Sequence, residues 1–256
     1  MPNGRLRTQE TGHSRCFPST RLTSPPHGLV HGAFMLESSF SMAHCALILA
    51  SGSPRRKELL GFFDIPFTVQ PADIDETQVP GETPRDYVWR LAREKGQAIA
   101  QISHLPVLSA DTTVEFEGQV LGKPIDKQDA ERILKILRSQ THRVFSAVSL
   151  VDYSTGLDLE RLVESEVLMR NYSESELRTY LDSGNWHDKA GGYAIQDSQF
   201  RPCSAYGGSY TNIMGLPVRD VADMLTEAGF IIREDLEDRI EETLGITTTQ
   251  MAKAHS

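Results

Sequence analysis

The chain has few cysteines and no excess of positive charge. Cys16, Cys45 and Cys203 are its three cysteines, and no pair has the spacing of a zinc or redox motif. We interpret them as reduced thiols, which is typical of a cytoplasmic protein. The formal net charge is -9, and such a negative field repels nucleic acid and anionic membranes. It argues against a general nucleic-acid binder or a membrane-surface binder.

Long hydrophobic runs are also missing: no apolar stretch reaches the roughly 20 residues of a transmembrane helix. The hydrophobic content of 39% and the charged content of 24% are ordinary for a soluble globular protein. A chain of 256 residues is long enough for one large domain or two small ones. We expect a single domain over residues 44–232 and a charged C-terminal tail over residues 233–256.

Residues 1–43 differ from the rest because they have no apolar periodicity and only two acidic residues, Glu10 and Glu37. This composition predicts a disordered N-terminal extension. It is also typical of an organelle transit peptide, but prolines interrupt any amphipathic helix. We therefore favour an extension without a targeting role and a cytoplasmic location, with organelle targeting as the minority alternative.

A strand, a turn and a helix are predicted at the start of the domain. Residues 47–50 form a short apolar run that Ser51-Gly52 ends. Ser53 can cap the following helix, and Pro54 suits its first position. The helix then points free backbone N–H groups at the space above the strand, which predicts a phosphate site. The alternative is an ordinary solvated first turn. Three cations follow: Arg55, Arg56 and Lys57.

Two acidic positions are candidates for chemistry. Residues 73–76 contain three carboxylates, including Glu76, which either bind a divalent cation or form a solvated loop. Residues 106–113 predict a strand that ends on Asp111, before a hairpin with a Glu117-Gly118 turn. Catalytic groups in α/β folds occupy such strand ends, although a turn-forming aspartate is an equal alternative.

A lysine lies where an apolar residue is expected. Thr83-Pro84 begins a helix whose apolar stripe includes Lys95. This lysine must snorkel or find an anion, because an unpaired buried charge is very costly. Further along, Lys189 and the pair Gly191-Gly192 form a loop that lets the backbone approach a ligand. Four aromatic residues are interpreted as packing or surface positions: Trp89, Trp186, His142 and His187.

Strands and helices alternate along the chain and at least one hairpin is present, which predicts an α/β fold with a mixed sheet. Together the segments resemble the Maf family of nucleoside triphosphate pyrophosphatases, in the same order from Leu47 to Gly229. The matching motifs are Ser51-Gly52-Ser53-Pro54-Arg55-Arg56 with Glu58-Leu59-Leu60, Asp75-Glu76, Leu91-Ala92-Arg93-Glu94-Lys95, Ala110-Asp111-Thr112, Gly122-Lys123-Pro124, Asp188-Lys189-Ala190-Gly191-Gly192-Tyr193 with Gln196, and Gly215-Leu216-Pro217.

The resemblance implies a long mixed sheet flanked by helices, with two lobes around a nucleotide cleft as in the inosine triphosphatase-like folds. It implies hydrolysis of a nucleoside triphosphate to the monophosphate and pyrophosphate, assisted by Mg²⁺ or Mn²⁺. Asp111 would be the proton acceptor, and Glu76 with Asp111 would hold the metal. The remaining residues implied to bind the triphosphate or act with it are Ser51, Ser53, Arg56, Lys95, Lys123 and Lys189.

Three positions bear on the choice of base. Arg55, Thr112 and Gln196 resemble the subgroup that acts on dTTP and UTP, and that also covers modified pyrimidine nucleotides. A Gln196 amide can accept from the N3–H of uracil and donate to a carbonyl oxygen. The alternatives are the same chemistry on 7-methyl-GTP, and a non-hydrolytic nucleotide-binding regulator of cell division. Residues 197–202 depart from the family pattern at the cleft rim, and a homodimer is implied only by analogy.

Overall fold

The computed structural model describes residues 46–246. The predicted extension over residues 1–43 lies outside the described residues. The seven strands of this part are β1 Leu47–Leu49, β2 Phe67–Val69, β3 Val107–Phe116, β4 Gln119–Leu121, β5 Thr141–Asp152, β6 Leu157–Met169 and β7 Cys203–Gly207. Its α-helices are α1 Pro54–Gly61, α2 Pro84–Ala100, α3 Lys127–Leu137, α4 Glu174–Ser183, α5 Tyr210–Met214, α6 Val218–Glu227 and α7 Leu236–Leu244.

All seven strands belong to one mixed sheet, in the order β2-β1-β3-β5-β6-β7, with β4 paired to β3. The pairs of β1 with β2 and with β3 are parallel, and the remaining pairs are antiparallel. The β3–β4 hairpin turns at Glu117 and Gly118, which both have positive φ, as the two-residue turn requires. The predicted mixed sheet flanked by helices is confirmed.

The two faces of the sheet are covered differently. Helix α2 packs on one face, where its Val88 and Ala92 contact Phe145 and Ala147 of β5. The larger core lies on the other face and is built from the other helices, with Leu59 of α1 as one example. Successive residues of a strand alternate between these faces, so neighbouring residues of β3 point to opposite sides of the sheet.

The prediction that a strand ends on Asp111 is wrong. β3 runs from Val107 to Phe116, so Asp111 lies in its middle. The strand continues because β5 pairs with it along its length. On the other side, β1 pairs with β3 only at Val107 and Leu108, and β4 begins to pair at Val114. Asp111 therefore lies beside a gap in the sheet, next to the carboxyl end of β1.

The glycine-rich turn predicted over residues 207–217 contains a short helix, α5, which the sequence pattern did not reveal. Its Asn212 is fully buried and donates to Val144 O and Ser165 Oγ at 3.2 and 2.9 Å. Buried polar contacts of this kind hold the helix in place, and they leave no apolar periodicity in the sequence.

The charged tail predicted from residue 233 includes helix α7 among the described residues. Leu236 and Ile240 of this helix are buried in the larger core. Within residues 46–246, no helix is long and apolar enough to cross a membrane.

Candidate active site

A cleft of about 620 Å³ opens at the gap in the sheet, between the carboxyl end of β1 and the middle of β3. This volume is typical of a small-molecule site. The cleft brings together all eleven residues predicted to form the site: Ser51, Ser53, Arg55, Arg56, Glu76, Lys95, Asp111, Thr112, Lys123, Lys189 and Gln196.

The first turn of α1 forms as its sequence predicts. Ser53 is the N-cap residue, its hydroxyl accepts from Arg56 N at 3.5 Å, and Pro54 occupies the first helical position. Ser51 Oγ accepts from Ser53 N at 3.3 Å, which ties the turn together. Lys57 is exposed and does not line the cleft. The positive, N-terminal end of the α1 dipole therefore faces the cleft.

Arg56 connects three parts of the cleft. Its Nε donates to Gly215 O at 2.8 Å, its Nη1 to Ser51 Oγ at 3.0 Å, and its Nη2 to Thr112 Oγ1 at 3.0 Å. Burial lowers the pKa of the guanidinium, while the nearby charge of Asp111 raises it and only partly offsets burial. All three bonded acceptors are neutral, so the positive charge stays available to an anion.

Arg55 lies beside Arg56 but has a different partner. Its Nε donates to Met214 O at 3.2 Å, at the end of α5. Burial also lowers the pKa of Arg55, against the opposing influence of Tyr180 and Asp188. The residue that contacts Thr112 is thus Arg56, although Arg55 was the one grouped with Thr112 from the sequence.

Two carboxylates share one lysine on the opposite side of the cleft. Lys95 Nζ lies 2.6 Å from Asp111 Oδ1 and 2.7 Å from Glu76 Oε1. The side chains of Lys95 and Asp111 are only 9% and 11% exposed, whereas that of Glu76 is 45% exposed. The inward-facing lysine on α2 has therefore found anions, as its place on the apolar stripe requires.

The charges around Glu76 control its protonation. Partial burial raises the pKa of its carboxyl, but the hydrogen bond and charge of Lys95 outweigh it, together with the charges of Lys123 and Arg56. The pKa of Glu76 is therefore held below its usual value. Lys123 follows β4, is exposed, and reaches the cleft from the hairpin side.

Neighbouring residues of β3 serve opposite faces of the sheet. Asp111 points to the α2 face, where it pairs with Lys95. Thr112 points to the other face, where its Oγ1 lies 2.8 Å from Ser146 Oγ of β5. Both reach the cleft because the gap beside β3 opens it to both faces.

The donor set suits a hard divalent cation. Within residues 46–246, no group of three or more His, Cys, Asp or Glu side chains could hold a metal ion by itself. Asp111 and Glu76 nevertheless approach one point closely enough to share the Lys95 ammonium. Mg²⁺ is typically bound by one or two carboxylates together with substrate phosphates and water, and these two residues fit that pattern.

The loop with Lys189 forms the third side of the cleft. It includes a 3₁₀ turn, Ala190–Gly192, in which Gly191 has φ 69°. A Cβ at Gly191 would lie 2.9 Å from Val114 Cγ2, so only glycine fits against β3. Lys189 Nζ donates to His187 O at 3.3 Å, and burial followed by the charge of Arg55 lowers the pKa of Lys189.

Two residues interpreted from the sequence as packing or surface positions, His187 and His142, are connected with the cleft. His187 is exposed, lines the cleft and stacks on Trp186 at a centroid distance of 3.7 Å. His142 is buried, and its Nε2 lies 2.6 Å from the hydroxyl of Tyr193, another lining residue. The only signal for His187 was its position next to Asp188-Lys189.

Comparison with known proteins gives consistent matches. Residues 46–228 match the family described as Maf-like protein. The chain is 44% identical over 186 residues to the dTTP/UTP pyrophosphatase of Anaeromyxobacter dehalogenans (strain 2CP-C), covering 72% of this chain and 94% of the relative. It is 43% identical over 184 residues to the dTTP/UTP pyrophosphatase of Roseobacter denitrificans, covering 72% and 97%.

Among solved structures, a HAM1 protein from Coxiella burnetii is similar with a TM-score of 0.41 and 16% identity, over 71% of this chain and 98% of that chain. The family match covers more than half of the chain, and both relatives are matched over most of their length. The matched residues 46–228 include every residue that lines the cleft. The resemblance inferred from the motifs is confirmed, and the chain belongs to the Maf family.

Proposed function

We propose that the chain hydrolyses nucleoside triphosphates to the monophosphate and pyrophosphate, with dTTP and UTP as preferred substrates. One observation carries the proposal. The cleft contains a compact ion cluster of Asp111, Glu76 and Lys95. Arg56 and the N-terminus of α1 line the same cleft. The relatives named dTTP/UTP pyrophosphatase support this reaction and this substrate class.

In the proposed reaction, Asp111 accepts a proton from the water that attacks the α-phosphate. Phosphoryl-type transfer depends mainly on positioning and on charge neutralisation, and the cleft supplies both. Arg56, Lys95 and Lys123 would bind the triphosphate oxygens, and the hydrogen bonds of Arg56 hold its guanidinium in one orientation. Ser51, Ser53 and Lys189 would add further phosphate contacts.

A divalent cation, Mg²⁺ or Mn²⁺, would be held by Asp111 and Glu76 and would neutralise charge on the phosphate oxygens. Lys95 has the same two carboxylates as partners. Its ammonium must therefore give up at least part of this pairing, and it would then be free to bind a phosphate oxygen itself.

Base preference is proposed to depend on Arg55, Thr112 and Gln196. Gln196 is exposed at the rim of the cleft, where its amide can both accept and donate. The pyrimidine edge of thymine or uracil offers one imide donor between two carbonyl acceptors, which suits such an amide. Modified pyrimidine nucleotides that keep this edge belong to the same proposal.

A nucleotide panel tests the reaction. Purified protein with Mg²⁺ is incubated with single nucleoside triphosphates, and pyrophosphate and orthophosphate are measured separately. We expect pyrophosphate, released fastest from dTTP and UTP. Orthophosphate as the product would refute the reaction class, and the highest rate with 7-methyl-GTP would favour that alternative.

The non-hydrolytic regulator is separated from the enzyme by the same assay, because a binding protein releases neither product. A cytoplasmic location and a homodimer stay predictions. Size-exclusion chromatography with light scattering tests the dimer.

A further inference from the structure

Behind Thr112 lies a buried serine that no part of the proposed mechanism uses. Ser146 is on β5, directly opposite Thr112 on β3, and it is fully buried. Its Oγ lies 2.8 Å from Thr112 Oγ1 and 3.0 Å from Asn212 O. A backbone carbonyl can only accept, so Ser146 donates its single proton to Asn212. The Ser146 oxygen is then left as an acceptor for Thr112.

The hydroxyl proton of Thr112 is therefore donated to an acceptor within the protein, not to a ligand. Thr112 Oγ1 donates to Ser146 at 2.8 Å, and the other protein acceptor within reach is Gly215 O, at the longer distance of 3.3 Å. Arg56 Nη2 donates to one lone pair of the same oxygen at 3.0 Å. A threonine hydroxyl has one proton and two lone pairs. One lone pair of Thr112 Oγ1 therefore remains free to accept a hydrogen bond.

We propose that Ser146 is a positioning residue that fixes the polarity of Thr112, so that Thr112 presents a hydrogen-bond acceptor to the ligand. The partner in the ligand is an N–H or O–H donor. The proposal rests on the proposed function and deepens it. The imide N3–H of thymine or uracil is such a donor, whereas N3 of cytosine is an acceptor and is rejected. A sugar hydroxyl is the other source of the same chemistry.

Without Ser146, the protein acceptor left to Thr112 is Gly215 O, at the longer distance of 3.3 Å, so the hydroxyl can rotate and donate to a ligand acceptor instead. Ser146→Ala should therefore lower the ratio of kcat/KM for dTTP over dCTP about tenfold, the ratio that one ordinary hydrogen bond carries. If the donor is the ribose 2′-hydroxyl, the ratio of UTP over dUTP falls instead. Equal losses for all nucleotides, or no change in either ratio, would overturn the proposal.

Ser149→Ala is the matched control. Ser149 lies three residues along β5, is also buried, and its hydroxyl has no hydrogen-bond partner within the described part of the chain. We expect both ratios to stay at the wild-type value in this variant. Ser146→Cys leaves no cavity, because its side chain is slightly larger than that of serine, and its sulfur is only a weak acceptor. It replaces Ser146→Ala if thermal unfolding shows that the alanine variant does not fold.

A double-mutant cycle separates positioning from a general structural effect. If Ser146 acts through Thr112, Ser146→Ala should change neither ratio further in a Thr112→Val background. An additional change of the same size in that background would contradict the proposal.

The role of Ser146 can be tested even if the proposed reaction is wrong. A wild-type protein that releases no pyrophosphate refutes the proposed function alone. Calorimetric binding of dTMP against dCMP, and of UMP against dUMP, to the same variants then decides the role of Ser146. A wild-type protein that discriminates within neither pair would overturn the proposal.

Discussion

The two walls of the cleft differ in the partners of their charged side chains. The arginine wall, Arg55 and Arg56, donates to neutral acceptors, so its positive charges are fixed in place but not cancelled. The carboxylate wall, Glu76 and Asp111, is bonded to the Lys95 ammonium, which compensates one of its two negative charges. An anion can therefore bind the arginine wall without rearrangement. A metal cation held by these carboxylates would have to compete with Lys95 for them.

The largest effect is expected at the carboxylate wall, from Asp111→Asn. The amide cannot accept the proton of the attacking water, so kcat should fall about 10²- to 10⁴-fold. Nucleotide binding to the arginine wall should be kept, and pyrophosphate release and equilibrium binding measure the two effects separately. Asp158→Asn, at an exposed position of β6, is the control. Unchanged turnover in Asp111→Asn would refute the role of proton acceptor.

Lys95→Met tests the exchange of partners directly. Removal of the ammonium leaves two carboxylates unpaired, which lowers stability, and a divalent cation can then compensate them. We expect a lower Tm without metal and a larger rise of Tm with added Mg²⁺ than in the wild type. Thermal unfolding over a Mg²⁺ series measures this without any turnover. Equal Mg²⁺ responses would show that the lysine and the metal do not compete.

At the arginine wall, the two arginines should separate by their effects on substrate choice. Arg56→Ala removes charge-assisted hydrogen bonds and should lower kcat/KM about 10- to 100-fold for all nucleotides alike. Arg55→Ala should change which nucleotide is preferred. Steady-state kinetics over the nucleotide panel measures both, with Lys57→Ala on the same helix as the control. A changed preference in Arg56→Ala would place it in the base pocket with its neighbour Thr112.

The smallest effect on activity is expected beneath the cleft, where His142 contacts Tyr193 and a substitution should change stability instead. Burial lowers the pKa of His142 from 6.5 to about 4, against the opposing charge of Glu115. The unfolded chain therefore binds one more proton between these values, so stability present above pH 6.5 is lost as the pH falls toward 4. His142→Gln should remove about 3 kcal/mol of this pH dependence.

Urea unfolding at pH 7.5 and pH 4.5 measures this difference. His104→Gln, at an exposed position, should leave the pH dependence as it is in the wild type. Parallel pH dependences of the wild type and His142→Gln would show that the pKa of this histidine is the same in the folded and the unfolded chain.

Local chemistry made much of the fold predictable. The helix starts predicted at Ser53 and Thr83 formed as N-caps, because these contacts lie within one helical turn. Lys95 was marked by a charge on an apolar stripe. Such signals involve residues close in sequence, so they can be read without tertiary structure.

The features that were missed depend on distant partners. The middle of β3 cannot be distinguished from its end by alternation, because the gap beside Asp111 is set by where β1 and β4 stop pairing. Helix α5 depends on contacts of Asn212 with β5 and β6. The bond from Arg56 to Thr112 joins residues 56 positions apart. The sequence identified both residues, but not their contact.

The alternation of Asp111 and Thr112 has a consequence for engineering. One peptide bond separates the residue proposed for proton transfer from the residue proposed for base choice, yet their side chains enter different layers of the protein. We expect the base pocket to be redesigned through residues on the α5 face, such as Thr112 and Ser146, without repacking α2 or moving Lys95. A library restricted to that face would leave Asp111 and Lys95 in place, and it should keep at position 112 an acceptor for Arg56 Nη2.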